Sequence, residues 1–437
     1  MNGWADRRRL AQYVPAAVTA VALVLFVPVA AASPLLAAVL LAMVVVVIVA
    51  LALGAERSAV LFLAIALGLA PMDRIRPVPA LDIVAMSDAF LFLGVMLLVP
   101  VLMSRRLRPD PLFVLGVAAT TCAALLAITV ADSAFVAAFL TVRLLVGALL
   151  LPVVFMWWAP GANTLLLFAG AYVAGNTINV IWAVTGGVRS NEGRVLGFSS
   201  HVNVVGLCAM LALALIPVLF ANLPLWRIPL LFAGALCALG VWESGSRAAL
   251  VVAVAIGGLY PLLARSIETM LTAAIGGVIG LYVIINALTT DDLGTNTLGR
   301  LLGGGSATYS DLQREMNAAA AWQQINDHPF LGVGLSETTL DTHNIYLQLA
   351  QVGGVVMLAS FLILLASVVR RSFVLGRRWQ LVALAPLAYV LIGPLTPILW
   401  ERYVWCVMAL PFLVSVRDAK DERPAVELVS TEDRVDS

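Results

Sequence analysis

The chain has three histidines, and one stands where a proton acceptor would be useful. His343 lies in Asp341-Thr342-His343-Asn344-Ile345-Tyr346, where a long polar segment gives way to an apolar run. The spacing puts it at the start of a helix, and the positive end of a helix dipole disfavours imidazolium. A neutral imidazole is what a general base needs near neutral pH. The structural alternative is a hydrogen-bonding residue at a helix start, with Asn344 beside it. His201, in Ser199-Ser200-His201-Val202-Asn203, opens another apolar run and reads by default as a capping or packing residue. His328 precedes Pro329 in a turn and reads as structural.

Arginines form the second set. Arg194 lies in Asn191-Glu192-Gly193-Arg194-Val195-Leu196-Gly197, and Arg247 follows Ser244-Gly245-Ser246 where an apolar run begins. Arg314 falls in the long polar segment ahead of His343. Guanidinium forks match phosphate oxygens two at a time and keep their charge, so several on one face suit a diphosphate. The alternatives are solvated cations, contacts with lipid headgroups, or, for Arg247, an ion pair with Glu243 one helical turn earlier. Arg143 lies well inside an apolar run. A central arginine in a membrane costs roughly 2.5–3.5 kcal/mol, so it must face a polar interior or snorkel outward. Asp88, inside another run, is one candidate partner.

These residues must be held by membrane helices. Of 437 residues, 62% are hydrophobic and 12% charged, and the mean hydropathy is +1.01. That excludes a disordered chain, a coiled coil and a soluble multidomain enzyme. A net charge of +1 predicts no nucleic-acid partner. A span needs about 20 apolar residues, which predicts an all-α bundle of 12–14 helices. The expected spans are 14–31, 34–53, 58–71, 83–103, 111–130, 136–158, 161–185, 202–221, 225–243, 247–264, 267–288, 344–369, 380–393 and 397–416. The third and thirteenth are short, and Pro386, Pro394 and Pro397 make the thirteenth a broken or re-entrant element. Arg7, Arg8 and Arg9 before an apolar stretch and Ala30-Ala31-Ala32 resemble a secretory signal, but a second span follows at once and favours an uncleaved anchor.

Seventeen cations, from Arg7 to the tail residues Arg417, Lys420, Arg423 and Arg434, fall on one set of alternating connections, and eight on the other. By the positive-inside rule both termini are cytoplasmic. The minority set includes Arg194, Arg247 and Arg314, which places them on the outer face with His343. The chain then divides into helices over 1–288, a long outer loop over 289–343, C-terminal helices over 344–416, and a disordered tail over 417–437. Within the loop, Leu312, Met316, Ala319, Ala320 and Gln323 share one face of a helix expected from about Ser310 to Asn326, lying on the surface. Cys122, Cys208, Cys237 and Cys406 fall in spans without a CxxC, no spacing reads as a metal site, and no phosphate-binding loop occurs. Neither a metal nor a cofactor is expected.

The ordered set Gly193-Arg194, Gly197 and Asn203, Ser244-Gly245-Ser246-Arg247-Ala248, Arg314 and Trp322, His328-Pro329-Phe330-Leu331-Gly332-Val333-Gly334, His343-Asn344, Tyr346 and Gly353-Gly354 resembles the O-antigen ligase and O-antigen polymerase family of bacterial inner-membrane glycosyltransferases. The likeness covers roughly residues 190–360. It implies a glycosyltransferase-C-like fold, a donor glycan on undecaprenyl diphosphate, transfer at the periplasmic face, and no metal. On this likeness His343 corresponds to the catalytic histidine, and Arg194 and Arg247, with Arg314 as an addition, to the diphosphate arginines. Arg143, His201, Asn203, Ser246 and Asn344 are further candidates. One departure stands out: the family commonly has an Asn-Pro-Asn element where this chain reads Ser200-His201-Val202-Asn203.

The expected acceptor is a lipid or glycan, and ligase and polymerase would share these residues. A transporter or flippase is a different class. It predicts charges spread through the midplane and two related halves with broken helices.

Overall fold

The computed structural model describes residues 45, 48–77, 84–107, 109–289, 297–301, 307–336, 342–399 and 401–416. The expected spans at 14–31 and most of 34–53, the signal-like segment, Gly303-Gly304-Gly305 and the tail lie outside them. Two compact units divide the chain, Met1–Ala59 and Val60–Ser437. In the first, the described residues are helical apart from Gly54.

Most of the described residues are helical, with one isolated bridge between Arg189 and Val195 and no strand among them. The helices are α1 (Ala55–Leu69), α2 (Met86–Ser104), α3 (Pro111–Thr129), α4 (Ala134–Ala148), α5 (Leu150–Trp158), α6 (Ala162–Thr185), α7 (Val202–Asn222) and α8 (Arg227–Glu243). They continue as α9 (Arg247–Ala264), α10 (Ile267–Thr289), α11 (Thr297–Leu301), α12 (Ala307–Asp327), α13 (Ile345–Val374), α14 (Leu384–Ile392) and α15 (Arg402–Met408).

Eight helical segments among the described residues are long and apolar enough to cross a membrane, which makes this a multi-pass membrane protein. Their lipid-type surface is visible directly: Phe135, Leu231, Phe232 and Val254 are exposed although they sit within apolar helices. α7 is the central helix, buried along most of its length and packed by α6, α8 and α9. α3 and α13 form another close pair.

Three expected spans differ in form. Residues 136–158 make two helices, because Pro152 in the first turn of α5 has no N–H to continue the ladder from α4. The run still counts as one crossing, Ala134–Trp158. The thirteenth span contains only the nine residues of α14 plus flanking 3-10 turns, ending at Gly393–Leu395. The fourteenth is the seven-residue α15 and a 3-10 turn at Leu410–Leu413, where Pro411 intervenes. Both are too short to span, and most of their residues are buried in protein, where irregular backbone is tolerated.

Contacts sort the connections into two ends. At one end Arg370 pairs with Asp110, Arg105 bonds the carbonyl of Trp158, and Arg378 bonds Asn222. At the other, Asp73 meets Ser200, Arg194 meets Ser244, and Arg247 meets Asp311. The candidate residues collect at the second end.

α13 is 30 residues long and changes direction at Gly353 and Gly354, whose φ/ψ pairs of −133°/18° and 63°/−163° are not helical. The break frees the carbonyls of Gln351 and Val352. They accept from the backbone N–H groups of Val333 and Gly334 at 2.9 Å each, and Pro329 in turn accepts from Val355 at 2.9 Å. The His328–Gly334 segment thus completes the broken helix. Its glycines are required by contact: a Cβ on Gly354 would fall 2.2 Å from the carbonyl of Phe330, and one on Gly332 would fall 2.4 Å from that of Gln351.

Candidate functional site

The site begins with a turn. α8 ends at Glu243, Gly245 takes a left-handed φ of 67°, and the Ser246 hydroxyl accepts from Ala249 N–H as the N-cap of α9. Arg247 is therefore the first residue of α9. Two buried arginines hold this turn. Arg194 Nε donates to the Ser244 carbonyl at 2.8 Å, and Arg300 Nη1 donates to the Gly245 carbonyl at 3.0 Å. Thr297 anchors Arg300 from the start of α11, its hydroxyl donating to the carbonyls of Val241 and Trp242 at 2.8 Å each.

Arg194 is itself fixed. Its Nη2 donates to Asn203 Oδ1 at 2.9 Å, and Glu192 lies 3.7 Å from Nη1. Asn203 is set by His201, whose Nδ1 accepts the Asn203 N–H at 3.1 Å as the N-cap of α7. His201, Asn203 and Arg194 thus form a chain of support running to the turn before Arg247.

A cavity of about 490 Å³ opens beyond that turn. Arg247, Asp311, Arg314, His343 and Asn344 line it. Arg247 presents both terminal nitrogens to the two Asp311 oxygens, with Nη1–Oδ2 at 2.8 Å. It pairs with this residue of α12 rather than with Glu243. Arg314 lies 3.9 Å from the same carboxylate. Asn344, not His343, caps α13: its Oδ1 accepts from Tyr346 and Leu347, both at 3.0 Å. The short amide reaches the first-turn N–H groups, and His343 sits one residue outside with φ 52°, a backbone region uncommon for non-glycine residues. The N-termini of α9 and α13 both meet the cavity and add their positive ends to its arginines.

The electrostatics are those of crowded cations. Burial, with Arg300 next, pushes the Arg194 guanidinium down to about 10. Burial also lowers Arg300 and Arg314, and in both cases Arg247 pushes the same way. Hydrogen bonding from Arg247 is the main reason the Asp311 carboxyl is held below its ordinary value. Nε of Arg300 and Nε of Arg314 are buried with no hydrogen-bond partner among the described residues. Buried donors without acceptors, beside these cations, leave a local excess of positive charge. Among the described residues no three His, Cys, Asp or Glu side chains gather as a metal-binding group.

No family model and no curated protein matches the chain.

The structure thus gathers His343, Asn344, Arg247 and Arg314 around one cavity. Arg194 lies behind it, holding the turn, and Ser246 and His201 act as caps. Arg143 is elsewhere. It lies 3.9 Å from Glu401, while Asp88, its candidate partner from sequence, pairs with Arg402 at 2.7 Å.

The surface helix expected from about Ser310 to Asn326 is present. It runs as α12 from Ala307 to Asp327, and Leu312, Met316, Ala319, Ala320 and Gln323 are exposed, while Ala321 is buried and Arg314, Asn317, Ala318 and Gln324 are partly so. The apolar stripe is the outward face, because the inward face carries Arg314 to the first cavity and Gln324 to Gln351. Two residues of the site escaped the sequence reading. Arg300 was one cation among eight, in a segment without apolar periodicity, and Asp311 carried no motif signal at all.

Proposed function

We propose that this chain is an O-antigen ligase-like glycosyltransferase with a glycosyltransferase-C-like fold, in the bacterial inner membrane with cytoplasmic termini. In this reading it moves a glycan from undecaprenyl diphosphate to an acceptor sugar hydroxyl at the periplasmic face. The observation that carries the proposal is the cavity in which His343 stands with Arg247 and Arg314.

The reaction follows from that arrangement. The acceptor hydroxyl oxygen attacks the anomeric carbon of the donor as its proton passes to the His343 imidazole. The bond between the anomeric carbon and the diphosphate oxygen breaks, and its electron pair stays on the diphosphate. Arg247 and Arg314 neutralise that growing charge, exchanging part of their contact with Asp311 for phosphate oxygens. Arg194 and Arg300 act at one remove by fixing the turn that aims Arg247. A single displacement inverts the anomeric configuration.

The deciding experiment is reconstitution in proteoliposomes with a polyprenyl-diphosphate-linked glycan and candidate acceptors, reading which product forms. Lengthening of the carrier-linked glycan itself would identify the polymerase alternative. His343→Ala is expected to lower turnover at least about a hundredfold, while EDTA leaves the wild type unchanged. Full transfer by His343→Ala overturns the base assignment.

A further inference from the structure

A second cavity, of about 770 Å³, lies against the other end of α12. Its wall includes Asp132, from the connection between α3 and α4, with Gln324, His328, Phe330 and Ser336. Its chemistry contrasts with that of the first cavity. No arginine or lysine lines it, and its one charged lining group is a carboxylate. The polar side chains are a carboxylate, a carboxamide, an imidazole and a hydroxyl, which both donate and accept. Phe330 is 69% exposed and lines the cavity, although it is a large aromatic. Beneath the wall, Gln351 is buried, donates to Gln324 Oε1 at 2.6 Å, and leaves its own Oε1 without a partner among the described residues.

An aromatic ring beside mixed hydroxyl-bonding groups, without cations, fits a pyranose: its C–H face packs on the ring and its hydroxyls pair with Asp132, Gln324 and His328. We propose that this cavity binds the carbohydrate chain of a substrate, several sugars away from the reacting carbon. The proposal rests on the transferase reading for the identity of the substrate. α12 connects the two places. It meets the first cavity at Arg314 and the second at Gln324, ten residues later, or about 15 Å along the helix. The interlock of His328–Gly334 with the break in α13 keeps the Phe330 backbone fixed at that distance.

The test separates this proposal from the transferase reading. Oligosaccharides released by mild acid from the source cell's own polyprenyl-linked pool carry neither lipid nor diphosphate. Added to the full-length protein in nanodiscs, they should slow amide hydrogen exchange over residues 324–336. Phe330→Ala should raise the concentration needed for half protection about fivefold, and Asp132→Asn should raise it further. His343→Ala should leave protection intact. No protection in the wild type, or equal protection in the Phe330→Ala and Asp132→Asn variants, overturns the proposal even if transfer is robust. Protection without transfer from any lipid-linked donor would instead sink the transferase reading and leave only the carbohydrate binding of this cavity standing.

In the transfer assay, Phe330→Ala should raise KM for one substrate by more than it changes kcat. Whether the donor or the acceptor KM rises identifies which glycan occupies the cavity. Phe330 is largely exposed, so the variant should melt as the wild type does.

Discussion

Two regions of this protein are rich in charge, and they are built on opposite terms. Around the first cavity, Arg247 lowers the proton affinity of Arg300 and Arg314, and these two lower that of Arg194, with Glu192 and Asp311 as the paired carboxylates. At the second, Arg143 faces Glu401 and Arg402 faces Asp88, one cation for each anion. What is left open also differs in sign. The first region keeps buried donors, Nε of Arg300 and Arg314, without partners among the described residues, whereas the second keeps an acceptor, Asp88 Oδ1. Charge placed for structure tends to be closed by its own partner. An excess of one sign, with donors still open, is what an anion can complete.

That contrast breaks if both regions respond alike to mutation. The largest effect after loss of His343 should come from Arg247→Lys. A lysine keeps the charge but cannot hold two oxygens at once, and transfer should fall about a hundredfold with thermal stability preserved. Near-normal turnover would make Arg247 a structural partner of Asp311. Arg143→Gln should behave in the opposite way. Arg143 lies 3.9 Å from Glu401 and does not line the first cavity, so its loss should cost stability rather than transfer. A slightly lower melting temperature is expected, with transfer within about threefold of wild type. If Arg143→Gln loses transfer as Arg247→Lys does, the balanced region is part of the site.

How much of this was legible in the sequence depends on the range of the interaction. Hydropathy is a sum over a local window, so most long helices were visible, along with the end of the helices at which Arg194, Arg247, Arg314 and His343 collect. Caps act across three residues, and the expected start of the 344–369 span coincides with Asn344, the cap of α13. Pairings across the fold left no local trace. Arg247 with Asp311 is separated by 64 residues, and Arg143 with Glu401 is invisible in either local sequence. Which face of α12 turns inward is likewise set by partners distant in sequence. Its apolar stripe is the stronger periodic signal, but the polar face has the partners.

The smallest effect concerns the support behind the site, and it has a defined sign. His201 holds Asn203 by accepting its N–H through Nδ1, which requires the neutral ring. Although part of that ring is exposed, burial first, then Arg194, His343 and Arg300, hold its pKa below the ordinary histidine value. The folded state therefore takes up the proton less readily than the unfolded chain. Stability from this group is complete above the ordinary histidine range, about 6.5, and is lost as pH falls from there through the folded value. Thermal unfolding of the wild type in detergent should move to lower temperature as pH drops from about 7 to about 5. His201→Ala should flatten part of that slope while costing about 1 kcal/mol for the lost cap at neutral pH. An unchanged slope in His201→Ala would show that the acid sensitivity belongs elsewhere, and that Asn203 and Arg194 keep their places without the histidine.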